Sequence, residues 1–227
     1  MTPGRVSGAE AGAVSGAVVS AVALGYVQVA LPARPLISDY ALVSGGMAPV
    51  LIGMLALAGA CLFLAYGLAA REPSRSAATR VLLVAGAAGL MLSALFPTDP
   101  GLSEVSSLGG EIHRWSAAVF FTALPVAGWA LARRYEPLPR WNAVRAMSAT
   151  SALALAGFLA AHPASFTSSP INGDAYYGLL ERGLVLAEIA LVAVMAVASA
   201  RRAHPAAPTA ATPEPEVDSG KPERLAA

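Results

Sequence analysis

Six long apolar segments, separated by short intervals that hold most of the charge, dominate this sequence. They cover residues 11–31, 47–70, 80–96, 115–132, 144–161 and 181–200. Each is close to the roughly 20 residues that a helix needs to cross the hydrocarbon core of a bilayer. Only 13% of the residues are charged, whereas a soluble domain carries about a quarter. The sequence therefore predicts a polytopic membrane protein.

The secondary structure of these segments follows from the chemistry of lipid. Backbone polar groups must be satisfied within each segment, which favours helices, and the alternation typical of membrane β-barrels is absent. We predict an all-α bundle of six transmembrane helices over residues 11–202, with a cytoplasmic N-terminus (1–10) and a disordered cytoplasmic tail (203–227). The first segment is expected to be retained, because its apolar run is longer than the roughly 7–15 residues of a signal peptide.

The basic residues predict the orientation of the bundle. Twelve of the fifteen fall on one side of the predicted membrane: Arg5, Arg71, Arg75, Arg80, Arg133, Arg134, Arg140, Arg145, Arg201, Arg202, Lys221 and Arg224. The other side has only Arg34, Arg114 and Arg182. By the positive-inside rule both termini are cytoplasmic, which predicts a multi-pass protein of the cell membrane.

The ends of the segments predict three successive helical hairpins. Proline follows each outward-running segment, at Pro32, Pro97 and Pro163, where it ends a helix. Two of these segments also carry small residues at four-residue spacing, which allows close packing of helices in a membrane. They are Gly12, Gly16 and Ser20 in the first segment, and Ala85, Gly89 and Ser93 in the third.

The predicted extracytoplasmic face gathers polar side chains that are far apart in the sequence. The acids are Asp39, Asp99, Glu104, Glu111, Asp174 and Glu181, and the histidines are His113 and His162. Such a face can bind a cationic group, a divalent ion or a proton. Each residue also has a structural interpretation. Asp99 before Pro100 is typical of the start of a short helix, Glu111 suits the positive end of the fourth helix, and either histidine can be a satisfied residue at the membrane boundary.

Glu188 is an acid deep inside the sixth segment. It follows Glu181 by seven residues, so both acids lie near one face of a helix. An acid within a membrane is expected to face the bundle interior, to be protonated or to meet a partner. Gln28 and Arg182 are the candidate partners, and a structural hydrogen bond is the alternative to a functional role.

Several classes of function find no support in the sequence. Cys61 is the only cysteine, so neither an intramolecular disulfide nor a thiolate metal site is expected. The net charge is +1 and no basic motif stands out, so we expect no nucleic-acid partner. No catalytic signature occurs. The sequence therefore predicts no cofactor and no metal site, and it favours a protein that is not an enzyme.

Four short motifs resemble those of a known family. They are ISDYAL (37–42), FPTDP (96–100), GEIH (110–113) and YGLLERG (177–183). They look like motifs of the bacterial proteins that share domain of unknown function 998. The resemblance implies a six-helix integral membrane protein without an established reaction, and its pattern selects Asp39, Asp99, His113 and Arg182. The architecture is more distantly similar to the DRAM-like membrane proteins, some of which influence the organisation of membrane lipids.

These observations lead to three hypotheses for the function. The first is a pocket on the extracytoplasmic face that binds a lipid headgroup or a protein partner, lined by Asp39, Asp99, His113, His162, Glu181 and Arg182, with Glu188 below. In this hypothesis Arg182 holds a lipid phosphate. The others are a proton-coupled transporter and an intramembrane metal-dependent hydrolase. Membrane lipids, other membrane proteins or further copies of the chain are the expected partners.

Overall fold

The computed structural model describes residues 8–100 and 107–200. It contains α1 (Gly8–Ala30), α2 (Met47–Arg71), α3 (Ala77–Leu95), α4 (Leu108–Ala132), α5 (Pro139–Ala161) and α6 (Gly173–Ala200), with a short 3₁₀ helix (Ser38–Leu42) between α1 and α2. All six α-helices are long and apolar enough to cross a membrane, and the described residues form no strand. The predicted all-α membrane bundle is confirmed, and the predicted tail lies outside the described residues.

The helices extend further than their apolar segments, mainly at the N-termini of the last three. α4 begins at Leu108, α5 at Pro139 and α6 at Gly173, so these helices start before the apolar segments that begin at 115, 144 and 181. Hydropathy marks only the part of a helix that lies in hydrocarbon, whereas backbone hydrogen bonding continues through polar turns. The side chains of His113, Arg114, Glu181 and Arg182 are therefore held on rigid helices and not on loops.

Specific residues fix these helix starts. The Ser107 hydroxyl accepts a hydrogen bond from the Gly110 N–H (3.0 Å) and caps α4, and Glu111 lies in the first turn of α4 as predicted. Proline occupies the first turn of α5, where its missing N–H costs nothing. The short helix predicted to start at Asp99–Pro100 falls on residues 101–106, outside the described part of the chain.

The helices form a closed ring in which each packs against its neighbours in the sequence. Contacts are most extensive between α1 and α2 and between α3 and α4, and α6 closes the ring against α1. α6 also touches α2 and α4, so one of its faces lies in the interior of the bundle. α5 is the least buried helix, since only 17% of its apolar stretch is buried inside the protein.

Small residues allow two of these helix pairs to approach closely. A Cβ atom on Gly89 of α3 would lie 2.5 Å from the carbonyl oxygen of Ser116 on α4, and one on Gly16 of α1 would lie 2.6 Å from the carbonyl oxygen of Ala56 on α2. A larger side chain at either position would force the backbones apart. Gly16 and Gly89 therefore lie at helix contacts, as their spacing predicts.

One end of the bundle is closed by polar contacts. An ion pair joins Arg71 at the end of α2 to the buried Glu10 of α1. Arg145 of α5 donates to the carbonyl oxygens of Ala132 and Tyr135 at 2.7 Å each, and the Tyr135 hydroxyl donates to Glu72. These contacts tie α1, α2, α4 and α5 together at the end opposite to the 3₁₀ helix.

Candidate functional site

A cavity of about 400 Å³ enters the bundle at the end where the 3₁₀ helix lies. All six α-helices contribute to its wall. Its interior is mostly aliphatic and aromatic, whereas polar side chains of the α3–α4 connection, of α4 and of the residue that follows α5 gather around its entrance. We call the residues Asp99, His113, Arg114 and His162 the polar mouth. The cavity is thus amphipathic, with a polar entrance and an apolar interior.

The structure divides the predicted site residues into two groups. Asp99, His113, His162 and Glu181 line the cavity. Asp39 and Arg182 do not line it: Asp39 belongs to the α1–α2 connection, and Arg182 of α6 binds that connection. Four of the six residues predicted from the sequence therefore share one cavity, and the other two belong to the packing behind it.

His113 is held in one orientation by the end of α3. Its Nδ1 atom lies 2.9 Å from the carbonyl oxygens of both Ser93 and Phe96. Because carbonyl oxygens only accept, Nδ1 carries a proton and donates it to them. In the neutral ring Nε2 is then an acceptor. The Ser93 hydroxyl also donates to the His113 carbonyl (3.1 Å). The end of α3 therefore forms hydrogen bonds with both the backbone and the side chain of His113.

His162, at the end of α5, has the opposite tautomer. Its Nδ1 accepts a hydrogen bond from the Ala164 N–H (3.1 Å), so the neutral ring carries its proton on Nε2. Burial and the positive charge of Arg114 lower the pKa of His162, which favours this neutral form. The ring packs edge-on against Tyr177, with 5.3 Å between centroids. The polar mouth therefore combines one imidazole acceptor with one imidazole donor.

Asp99 fastens the α3–α4 connection to the start of α4. One carboxylate oxygen accepts from the Ser107 hydroxyl (2.8 Å) and the other from the Ser107 N–H (3.0 Å). The carboxylate lies against the Cα atom of Gly110, where any Cβ would overlap it. These contacts give Asp99 a structural role at the start of α4, and the residue also borders the cavity.

Glu181 and Asp39 hold the turn that precedes the 3₁₀ helix. Glu181 is 8% exposed, and its Oε2 accepts from the Ile37 N–H at 2.6 Å. Asp39 is equally buried, and its Oδ2 accepts from the Leu36 N–H at 3.1 Å. Burial raises the pKa of Asp39, although the Leu36 N–H and the nearby charges of Arg34 and Arg182 oppose this effect. Both acids thus position backbone that borders the cavity.

Arg182 is engaged by the protein on all three of its nitrogen atoms. Nε donates to the Gln28 side chain at 2.6 Å, one terminal nitrogen donates to the carbonyl oxygens of Pro35 and Gly178, and the other donates to the Arg34 carbonyl oxygen. A single hydrogen of the guanidinium group is left over. This geometry makes Arg182 a clamp between α6, α1 and the loop that follows α1.

Arg114 is the cation that the prediction missed. It lies on the second turn of α4, is exposed and lines the cavity. Within residues 8–100 and 107–200 it forms no hydrogen bond or ion pair, although its charge acts on both His162 and Tyr177. Its position next to His113 in the sequence was a usable signal, because both residues occupy the polar first turns of the same helix.

The cavity also opens sideways between α4 and α5. Trp115 and Thr122 of α4 and Leu159 of α5 all line it and are exposed on the outside of the bundle, Trp115 to 67% and Leu159 to 55%. The cavity therefore reaches the side of the bundle that would face lipid in a membrane.

Glu188 lies deeper in the bundle and does not meet its predicted partners. Gln28 pairs with Arg182 instead, so the prediction that either one contacts Glu188 is wrong. The Glu188 side chain is completely buried, and neither of its carboxyl oxygens has a hydrogen-bond partner among the described residues. The residue faces the interior of the bundle, as expected for an acid in a membrane.

Comparison with known proteins gives one match. No curated protein and no solved structure matches the chain. The family described as "Protein of unknown function (DUF998)" matches residues 11–198, which include every residue of the polar mouth and all six helices except the outermost residues of α1 and α6. The chain therefore belongs to the DUF998 family of proteins of unknown function.

Proposed function

We propose that this membrane protein binds an amphipathic molecule with a phosphate-bearing, anionic headgroup, of the membrane phospholipid class. The observation that carries the proposal is the amphipathic cavity, which has a polar mouth at one end of the bundle and a side opening between α4 and α5. The headgroup would lie at the mouth and the acyl chain in the apolar interior. The lipid would enter sideways from the bilayer.

The polar mouth offers the groups that an anionic phosphate ester requires. Arg114 supplies a guanidinium group without a protein partner in the described chain, and guanidinium groups bind phosphate through paired hydrogen bonds. His162 supplies an N–H donor, and His113 supplies an acceptor for a hydroxyl group of the headgroup. We assign the phosphate to Arg114 and not to Arg182, because the hydrogen bonds of Arg182 are used by the protein.

The distribution of basic residues supports an extracytoplasmic position for the mouth. Twelve of the fifteen basic residues lie in or next to the termini and connections at the opposite end of the sequence-derived topology, and such residues are typically cytoplasmic. The mouth would then face the outer leaflet of the cell membrane, with both termini in the cytoplasm. A reporter fused after Ala203 would give a cytoplasmic signal in this topology, and an extracytoplasmic signal would contradict it.

The other functions predicted from the sequence receive less support. The described residues bring together no group of three or more His, Cys, Asp or Glu side chains able to hold a metal ion, so no observation favours a metal-dependent hydrolase. A protein partner or a second copy of the chain would have to bind at the polar mouth or at the sparsely buried α5, and nothing in the structure favours either. Lipid binding accounts for both halves of the cavity.

A side chain that fills the cavity is expected to displace the lipid. Ala118 of α4 lines the cavity, so Ala118→Trp should strongly reduce the phosphatidylglycerol that native mass spectrometry detects on protein purified from bilayers containing it. Val119→Trp is the matched control, since Val119 is 46% exposed and does not line the cavity. Equal retention of lipid by both variants, with thermal stability unchanged, would contradict binding in the cavity.

Binding of the anionic lipid is expected to strengthen as the pH falls. Burial and Arg114 lower the pKa of His162 below its ordinary value of 6.5, so the ring is neutral at neutral pH. A bound phosphate would offset the charge of Arg114 and raise this pKa, which means that binding takes up a proton. The affinity for phosphatidylglycerol should therefore rise between about pH 7.5 and about pH 5.5. His162→Gln keeps an N–H donor but does not titrate, so this variant should bind with an affinity that depends less on pH. A pH profile of the variant equal to that of the wild type would contradict the role of His162.

A further inference from the structure

Glu188 and Ser151 form a polar pair in the middle of the bundle that neither the cavity nor the proposed lipid explains. Both side chains are completely buried, and neither the carboxyl oxygens nor the hydroxyl has a partner with hydrogen-bond geometry among the described residues. The Ser151 hydroxyl nevertheless lies close enough to the Glu188 carboxyl for a weak hydrogen bond. The pair therefore lies away from solvent, where few groups can stabilise the negative charge of an ionised carboxylate.

The depth of the pair places it near the centre of the bilayer. At 1.5 Å per residue, Glu188 lies ~22 Å from the start of α6, a helix of 28 residues. Ser151 lies near the middle of α5, and the buried Cys61 lies near the middle of α2. The charge of Glu188 acts on the Cys61 thiol. Three helices thus bring polar side chains to one depth, far from both polar ends.

The groups around Glu188 can donate a hydrogen bond to its carboxyl, but none of them carries a positive charge. α6 packs against α1, α2, α4 and α5, and only Ser151 and Cys61 of these helices interact with Glu188. The other titratable residues on these helices lie nearer the helix ends: Glu10, Tyr26, Tyr66, Arg71, Glu111, His113, Arg114, Arg140 and Arg145. On α6 itself the nearest are Arg182 and Glu181, about two turns towards the mouth, and the guanidinium group of Arg182 is bonded to Gln28 and to the carbonyl oxygens of Arg34 and Pro35. Sodium or calcium would need several oxygen ligands, and one carboxyl with one hydroxyl does not supply them.

We propose that Glu188 is a proton-binding site within the membrane, at which the carboxylate takes up one proton to form a neutral carboxylic acid that faces the Ser151 hydroxyl. The neutral acid removes the cost of an unpaired buried charge. The hydroxyl of the neutral acid can donate a hydrogen bond to the Ser151 hydroxyl oxygen. The site is separate from the polar mouth, and it does not depend on lipid binding.

The position of the site also suggests how it can be reached. Val185 of α6 and Leu155 of α5 lie one turn nearer the mouth than Glu188 and Ser151, and both line the cavity. The inner end of the cavity is therefore about one helical turn from the carboxyl. A small apolar reagent that enters the cavity, or the gap between α4 and α5, comes close to Glu188.

Carbodiimide labelling provides a site-specific test, because these reagents modify protonated carboxyl groups in apolar surroundings. Tryptic cleavage after Arg182 and Arg201 releases residues 183–201, whose only acid is Glu188. Wild-type protein in bilayers should be modified by dicyclohexylcarbodiimide within this peptide at neutral pH, and less as the pH rises. Glu188→Gln should lose the modification, whereas Glu111→Gln, which changes an exposed acid on α4, should keep it.

Infrared spectroscopy decides the outcome independently of reagent access. The wild type should show a carbonyl band of a protonated carboxylic acid that is absent in Glu188→Gln and shifts in Ser151→Ala. Glu188→Gln should also keep the thermal stability of the wild type, because glutamine resembles the neutral acid. A spectrum at neutral pH without a band that Glu188→Gln removes would overturn the proposal, whatever the labelling shows.

Discussion

Arg182→Gln is expected to destabilise the bundle by about 2–4 kcal/mol, because it removes charge-assisted hydrogen bonds to several acceptors at once. The guanidinium group joins α6 to Gln28 of α1 and to the carbonyl oxygens of Arg34 and Pro35. Glutamine is too short to reach all of them, so at least two acceptors would lose their partner. The midpoint of thermal unfolding, measured in the same detergent for the wild type and the variant, gives the effect.

Two further variants separate this clamp from a simple need for positive charge. Arg182→Lys keeps the charge but lacks the planar group that bonds in three directions, so it should recover only a small part of the lost stability. Arg114→Gln removes a cation from the same end of the bundle, yet it breaks no hydrogen bond among the described residues and should leave the midpoint nearly unchanged. Equal midpoints for Arg182→Gln and Arg114→Gln would contradict the assignment of Arg182 as a clamp.

The contrast between these two arginines shows where prediction from sequence ends. Both lie in the polar first turns of a helix on the same predicted side of the membrane, and hydropathy treats them alike. Arg182 faces a loop some 150 residues away in the sequence, at separations of 147 and 148 residues for its carbonyl partners, and those partners are backbone atoms that a sequence pattern does not reveal. Arg114 faces the cavity. The roles of the two residues depend on the rotation of each helix about its axis.

The larger features were predictable because they depend on length and composition alone. Six apolar segments fix six helices, since lipid leaves no other way to satisfy the backbone. Successive helices cross the membrane in opposite directions, so every second connection lies at the same end of the bundle. This places Asp99, His113, His162 and Glu181 at one end, where they line one cavity. The partners of Glu188 were not predictable in the same way. Gln28 lies at a suitable depth, but tertiary packing commits it to Arg182.

Glu181 is another residue whose role could not be predicted from the sequence. Its burial and its bond to the Ile37 N–H make it part of the wall that shapes the cavity. Because the acceptor is a side chain and the donor is backbone, neither residue type nor spacing indicates the pair. The sequence therefore predicts which residues share an end of the bundle, whereas packing decides which of them face the ligand and which support the wall.

Arg114→Gln is expected to weaken binding of phosphatidylglycerol about tenfold, which corresponds to roughly 1.4 kcal/mol. The expected loss is modest because Arg114 is exposed, and solvent and salt screen its charge. Binding of zwitterionic phosphatidylcholine should change less, since its headgroup carries a compensating positive charge. Titration of lipid into protein held in nanodiscs of defined composition, read by native mass spectrometry, measures both affinities.

The control for this experiment is Arg134→Gln, which removes an exposed arginine just beyond the other end of α4 and changes the net charge equally. If the attraction is local to the polar mouth, Arg134→Gln should bind phosphatidylglycerol as the wild type does. Glycerol phosphate without an acyl chain should compete poorly, because the apolar interior of the cavity contributes much of the binding free energy. Equal losses in both arginine variants would mean that lipid responds only to overall charge, and strong competition by glycerol phosphate would mean that the mouth binds free phosphate esters and not lipids.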